Sequence, residues 1–166
     1  MSHRGLFITV RTFGLLCLLL HTEGQAGDSS LSLSSLKGLA AFKVVVEQLG
    51  PKIEGKGLTR QQLQTDVELR LRQAGVTVSS DAPALLYANI AVVCNELVSA
   101  YCAYNINLEV QQTVRLAVSP ESGTLLAATW STGTTGLLGR RVQLIRDGLK
   151  DQVDQFLNAY LAANPK

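Results

Sequence analysis

The sequence predicts an α/β two-layer sandwich (α+β): a four-stranded mixed sheet with two helices on one face, in the order strand-helix-strand-strand-strand-helix. Three observations carry this. Residues 104–118 alternate apolar and polar side chains with period two, the mark of a strand with one dry face and one wet face. Two other stretches, Leu63/Val67/Leu71/Ala74 and Val142/Ile145/Leu149/Val153/Phe156/Tyr160, place apolar residues at helical spacing. All four prolines fall between these segments, where they cannot break a helix interior or a central ladder.

Phe42, Val44 and Val46 alternate with Lys43, Val45 and Glu47 to predict the first strand, ended by Gly50 and Pro51. Thr59, followed three residues later by Gln62, has capping-box spacing and starts the first helix. On its outer side Asp66 with Arg70 and Glu68 with Arg72 stand four apart, the spacing of intrahelical ion pairs, and Gly75 supplies a left-handed cap. A second strand is expected from Leu85 to Cys94.

In the third strand Tyr104, Ile106, Leu108, Val110, Val114, Leu116 and Val118 share the dry parity. Asn105, Asn107, Glu109, Gln111, Thr113 and Arg115 share the wet one. Gln112 breaks the apolar row, which implies a bulge or a strand that outruns its neighbour. Ser119–Gly123 reads as a hairpin turn, and Leu126, Ala128 and Trp130 continue the dry row in the fourth strand. Ser131 to Gly139 reads as a glycine-punctuated loop before the last helix, which ends at Asn164-Pro165.

The first 26 residues read as an export signal, with a basic start at Arg4, an apolar run from Phe13 to Leu20, and Gly24 and Ala26 before the cleavage point. Arg11 interrupts the run well short of the ~20 residues a bilayer span needs. Leu16 stands where lipidation of Cys17 would want a small residue. Residues 27–38 are a serine-rich stretch that reads as a tether, and 39–166 as one domain of periplasmic or secreted location. Cleavage removes both histidines, His3 and His21, and leaves 13 basic and 12 acidic side chains, no field that would steer nucleic acid. No further run is long enough for an integral membrane span.

The segment Ala127-Ala128-Thr129-Trp130-Ser131 with its glycines, and the ending from Asp154 to Pro165, resemble small exported bacterial α/β proteins. At fold level the element order is similar to envelope-assembly modules such as the amino-terminal domain of the Tol-system propeller protein. That resemblance implies protein–protein contacts rather than catalysis and carries over no functional residue.

Cys94 and Cys102 fall on the same parity of adjacent strands, across a short connection. A structural disulfide is expected in an oxidising compartment, with two buried thiols as the alternative; without a Cys-x-x-Cys motif or a histidine, redox catalysis is not expected. Gly133, Gly136 and Gly139, followed by Arg140 and Arg141, offer an anion-holding loop, against the plainer reading of a flexible loop with solvated charges. Trp130 reads as a core anchor or as an aromatic floor for a ligand. Tyr101 and Tyr104 are explained by strand propensity. Asp66, Glu68, Asp147, Asp151 and Asp154 read as solvated carboxylates rather than catalytic pairs or a metal site. Asn105, Asn107 and Gln111 form an amide row suited to contacts that desolvate no full charge.

The expected function is therefore a non-enzymatic binding or assembly module of the bacterial envelope, with no cofactor. Its expected partner is another envelope or secreted protein. The alternative is a binder of a small anionic or amphiphilic ligand at the glycine loop.

Overall fold

The computed structural model describes residues 29–95, 102–139 and 141–165. The signal reading, Cys17, Tyr101 and Arg140 lie outside the described residues.

Five strands form one sheet in the order β2-β1-β3-β4-β5, with β1 Ala41–Val46, β2 Thr77–Val78, β3 Ala84–Cys94, β4 Cys102–Arg115 and β5 Thr124–Leu137. β1 runs parallel to both β2 and β3, and β3, β4 and β5 are antiparallel, so the sheet is mixed as expected. The sequence reading lacked β2. Two residues are too short to show a period, and Thr77 and Val78 become a strand only by pairing with Ala41 and Phe42.

Helices α3 (Arg60–Gln73) and α4 (Gln143–Ala163) pack on one face of this sheet, and a single turn, α2 (Pro51–Glu54), precedes α3. α3 starts at the expected capping box: Gln62 N–H donates to Thr59 Oγ1 at 3.2 Å and Thr59 N–H to Gln62 Oε1 at 3.0 Å. It stops at Gly75, whose φ of +81° is the left-handed conformation that closes a helix, while Val76 N–H returns to Leu71 O at 2.9 Å. The core gathers Phe42, Leu86, Ile106, Leu108, Leu63, Leu71, Ile145 and Leu149, all essentially inaccessible. Phe156 meets Phe42 and Trp130 edge-on, at centroid distances of 5.2 and 5.5 Å, in the geometry aromatic quadrupoles favour.

The serine-rich stretch is not a tether within its described part. Ser29 caps a short helix, α1 (Ser30–Ser34), by accepting from Ser32 N–H at 3.1 Å, and Leu36 is fully buried. Ser35 Oγ donates to Thr129 O at 3.0 Å, and Asn164 clasps the segment from α4 by donating to Leu36 O at 3.0 Å and accepting from Gly38 N–H at 2.7 Å. One buried leucine and these long-range bonds supply the order that local composition does not.

One of the two expected intrahelical ion pairs, Asp66–Arg70, does not form. Only Glu68–Arg72 forms within α3, at 2.9 Å. Asp66 instead accepts from Arg146 Nε at 2.5 Å and Nη2 at 2.8 Å, and Arg70 pairs with Asp154, both across the α3–α4 seam. Asp66 and Asp154 are therefore inter-helix staples rather than freely solvated carboxylates. Asp66, Arg70 and Arg146 line a groove of about 360 Å³ together with Leu63, Val67, Leu149 and Val153.

Candidate binding face

β4 and β5 change register between Val110 and Gln111: Val110 faces Trp130, but Gln111 faces Ala128, so Thr129 is the extra residue of a bulge. The break in the apolar row at Gln112 marks this place. From the same point β4 outruns β3, whose pairing ends at Leu85 opposite Gln111. Gln112 turns inward to donate to Ser35 O at 3.0 Å and Thr129 Oγ1 at 2.7 Å. The bulge corrects the expected dry row of β5. Trp130 stays on the helix side, whereas Leu126 and Ala128 turn to the open side, since a one-residue slip exchanges the faces.

No described helix covers the other face of the sheet, and register places its residues in rows. Val45, Tyr87, Glu109 and Ser131 form one row; Asn89, Asn107 and Gly133 the next; then Ala91, Asn105 and Thr135; and last Val93, Ala103 and Leu137. Glu109 accepts from Asn107 Nδ2 at 2.6 Å and from Gln111 Nε2 at 3.0 Å. Glu47 accepts from Asn89. The nearby Glu47 carboxylate, with burial and the charge of Glu109, pushes the Tyr87 phenol above its ordinary value near 10. Asn105 Nδ2 donates to Thr135 Oγ1 at 3.0 Å. The face is thus a hydrogen-bonding lattice of amides, a phenol and two carboxylates. It suits a polar partner and does not suit an anion.

The expected glycine loop does not form as such. Gly133 and Gly136 lie inside β5 without positive φ, so only Gly139, at φ +52°, belongs to the connection to α4. Their reason is close approach. A Cβ at Gly136 would sit 2.7 Å from the Tyr104 ring, and one at Gly133 would sit 2.9 Å from Ile106 O. Tyr104 therefore lies over Gly136 and reaches toward Gly148 on α4, covering a glycine in a strand with an aromatic ring. Arg141 is exposed just before α4.

Trp130 is 3% exposed and packs as a core anchor against Phe156; among the described residues its indole N–H has no partner. Next to it on the same face, the Thr132 hydroxyl meets Gln152 and Gln155 of α4 at 2.8 and 2.6 Å, a buried polar link that sequence reading missed. Gln152 sits amid an apolar helical stripe, which is the signal that was there to find.

Cys94 and Cys102 face each other at the last described rung of the β3–β4 ladder and are joined by a disulfide, with Cα atoms 4.0 Å apart. Among the described residues no cluster of three or more His, Cys, Asp or Glu residues is placed to hold a metal ion, and no described helix is long and apolar enough to cross a membrane.

β5 is an edge strand. Leu138 N–H donates to Cys102 O at 2.8 Å, which sets the ladder's parity. It directs the N–H and C=O groups of Ser131, Gly133, Thr135 and Leu137 away from β4. The strand Thr124–Leu137 holds no charged residue and no proline, the usual guards of an exposed edge.

Fold and site together define a two-layer α/β domain with one open, amide-rich sheet face and an unguarded edge. No protein-family model matches the chain, and no curated protein matches it by sequence. Among solved structures it is similar to a minor lipoprotein from Acinetobacter baumannii, at 10% identity and TM-score 0.38 over 76% of this chain and 93% of that one. It is also similar to the rare lipoprotein B from Shewanella oneidensis, at 14% identity and TM-score 0.22 over 75% of this chain and 88% of that one. Both are bacterial lipoproteins; overlaps this loose carry no role across.

Proposed function

We propose that the protein is a non-enzymatic binding or assembly component of the bacterial envelope that works through protein contacts on its open sheet face and along β5. The observation that carries this reading is the one-sided cover of the sheet: α3 and α4 fill one face, while the lattice around Glu109 and the outward backbone of Ser131–Leu137 are left for a partner. Strand addition to such an edge takes affinity from main-chain hydrogen bonds and specificity from alternate side chains, here Ser131, Gly133 and Thr135. The Cys94–Cys102 bridge supports an oxidising compartment, in agreement with the export-signal reading. No catalytic role is assigned to any residue. The small-ligand alternative loses its geometric basis, because two of its three glycines are strand residues.

The test is photo-cross-linking in cells producing the exported protein. A photoreactive side chain at Asn105 or Thr135 is expected to capture a discrete protein adduct, and one at the exposed Gln61 on α3 is not. Thr135→Lys, which guards the edge without entering the core, is expected to reduce the adduct formed from Asn105 at least several-fold. Equal adducts at Gln61 and Asn105, or none at either face position, would refute the assignment.

A further inference from the structure

We infer that the free edge of β5 pairs antiparallel with the same strand of a second copy of this chain, joining the two sheets into one. The inference rests on the reading of β5 as an interaction edge and names its occupant. The free stretch is bounded at both ends. Thr129, at the bulge, already gives its carbonyl to Ser35, and Leu138 turns its N–H back to Cys102 before Gly139 leaves the strand at φ +52°. Between them Ser131, Gly133, Thr135 and Leu137 direct their main-chain groups outward. Two-fold pairing centred on Thr134 is the register that engages every one of these residues. It sets Leu137 opposite Ser131 of the second copy and Thr135 opposite Gly133 of the second copy, with about eight main-chain hydrogen bonds exchanged between the strands.

Size, charge and topology select the second copy over a foreign strand. In this register larger side chains meet smaller ones: Leu137 stands beside a serine and Thr135 beside a bare glycine on the open face, and Thr132 beside Gly136 on the helix side. The two Thr134 side chains meet each other across the axis, a cross-strand pair that sheets favour. Any edge strand can pair with its own copy, and a protein that reserves its edge for another partner blocks this with a self-repelling charge or a proline. The strand Thr124–Leu137 has neither, so nothing holds it apart from its own copy. Pairing also closes at two chains, because the opposite edge of the sheet is β2, whose two residues Thr77 and Val78 are too few to receive β5. The row Asn89, Asn107 and Gly133 then runs on into Thr135 and Asn105 of the second copy, one amide-rich band across both open faces.

The experiment is sedimentation equilibrium of the exported protein, recovered from cells expressing the full chain. The wild type is expected at twice the monomer mass. Thr134→Lys, which sets two like charges against each other at the axis, is expected to weaken the dimer at least tenfold, and Thr134→Glu to do the same. An equimolar mixture of the two variants is expected to recover the dimer, since lysine then faces glutamate. Thr113→Lys, exposed on the open face away from the pairing, leaves the mass unchanged, and near-ultraviolet circular dichroism verifies that all three variants fold. The inference is overturned if the wild type is monomeric, if both Thr134 variants remain dimers, or if their mixture stays monomeric. A monomer whose Asn105 cross-linker still captures a different protein overturns the pairing and leaves the protein-contact reading standing; a dimer whose cross-linker captures none supports the pairing and removes that reading.

Discussion

Gly136→Ala is expected to destabilise the protein because Tyr104 occupies the space a methyl group needs. The added Cβ would stand 2.7 Å from both Cε1 and the hydroxyl oxygen of Tyr104 and 2.8 Å from Cζ, closer than carbon atoms pack. The ring cannot move freely the other way, since α4 stands there at Gly148. Overpacking of this kind costs about 1–3 kcal/mol. Alanine restricts the unfolded chain more than glycine does, which returns about 0.4–1 kcal/mol, so the net loss is about 1–2 kcal/mol. In a Tyr104→Ala background the clash is gone and Gly136→Ala becomes stabilising by about 0.5 kcal/mol. The double-mutant cycle then shows a coupling of at least ~1 kcal/mol. Urea denaturation with the disulfide intact measures it, the single substitution lowering the midpoint by about 0.5–1 M for an m-value near 2 kcal/mol/M. A neutral Gly136→Ala, or an equal cost in both backgrounds, would refute the packing argument and return Gly136 to a conformational or binding role.

Two further outcomes follow from local features. Reducing the Cys94–Cys102 bridge, or replacing both residues with serine, frees a connection closed at a sequence separation of 8 and is expected to cost about 2.5 kcal/mol by the chain-entropy relation, read as a drop in urea midpoint. Thiol labelling of the denatured, unreduced exported protein should find neither cysteine free. Tyr87 is expected to ionise above the range of free tyrosine in a spectrophotometric titration, and Tyr87→Phe should remove that late phase. Because its folded pKa is raised, the stabilisation is fully present below about pH 10 and is lost as pH rises through the folded value; wild type and Tyr87→Phe should converge in stability there. A stability difference that stays unchanged as pH rises through the basic range would refute the influence of Glu47 on Tyr87.

The open face was legible in the sequence because period two is a local property. Asn105, Asn107 and Gln111 take the wet side wherever β4 pairs. The glycine loop was misread for the complementary reason. Glycines at 133 and 136 look like loop punctuation until Ile106 and Tyr104, some 30 residues away, are seen to press against them. The apolar end of the β4–β5 hairpin was likewise hidden, since Leu116 and Leu126 read as core until the end of β3 leaves that hairpin uncovered and the bulge at Thr129 turns Leu126 outward.

What the sequence by itself determined is what a few neighbouring residues decide: the α3 stripe and its Thr59–Gln62 cap, the Gly75 stop, the alternation of β1, β3 and β4, and the α4 stripe. Each rests on the 3.6- or 2-residue geometry of the backbone and needs no distant partner. Tertiary structure alone decided the β2 pairing, the docking of α1 under Asn164, the Asp66–Arg146 and Arg70–Asp154 staples and the face on which Leu126 emerges. These depend on which groups, far apart in the chain, compete for the same hydrogen bond or the same volume, and that competition exists only once the two layers have closed on each other.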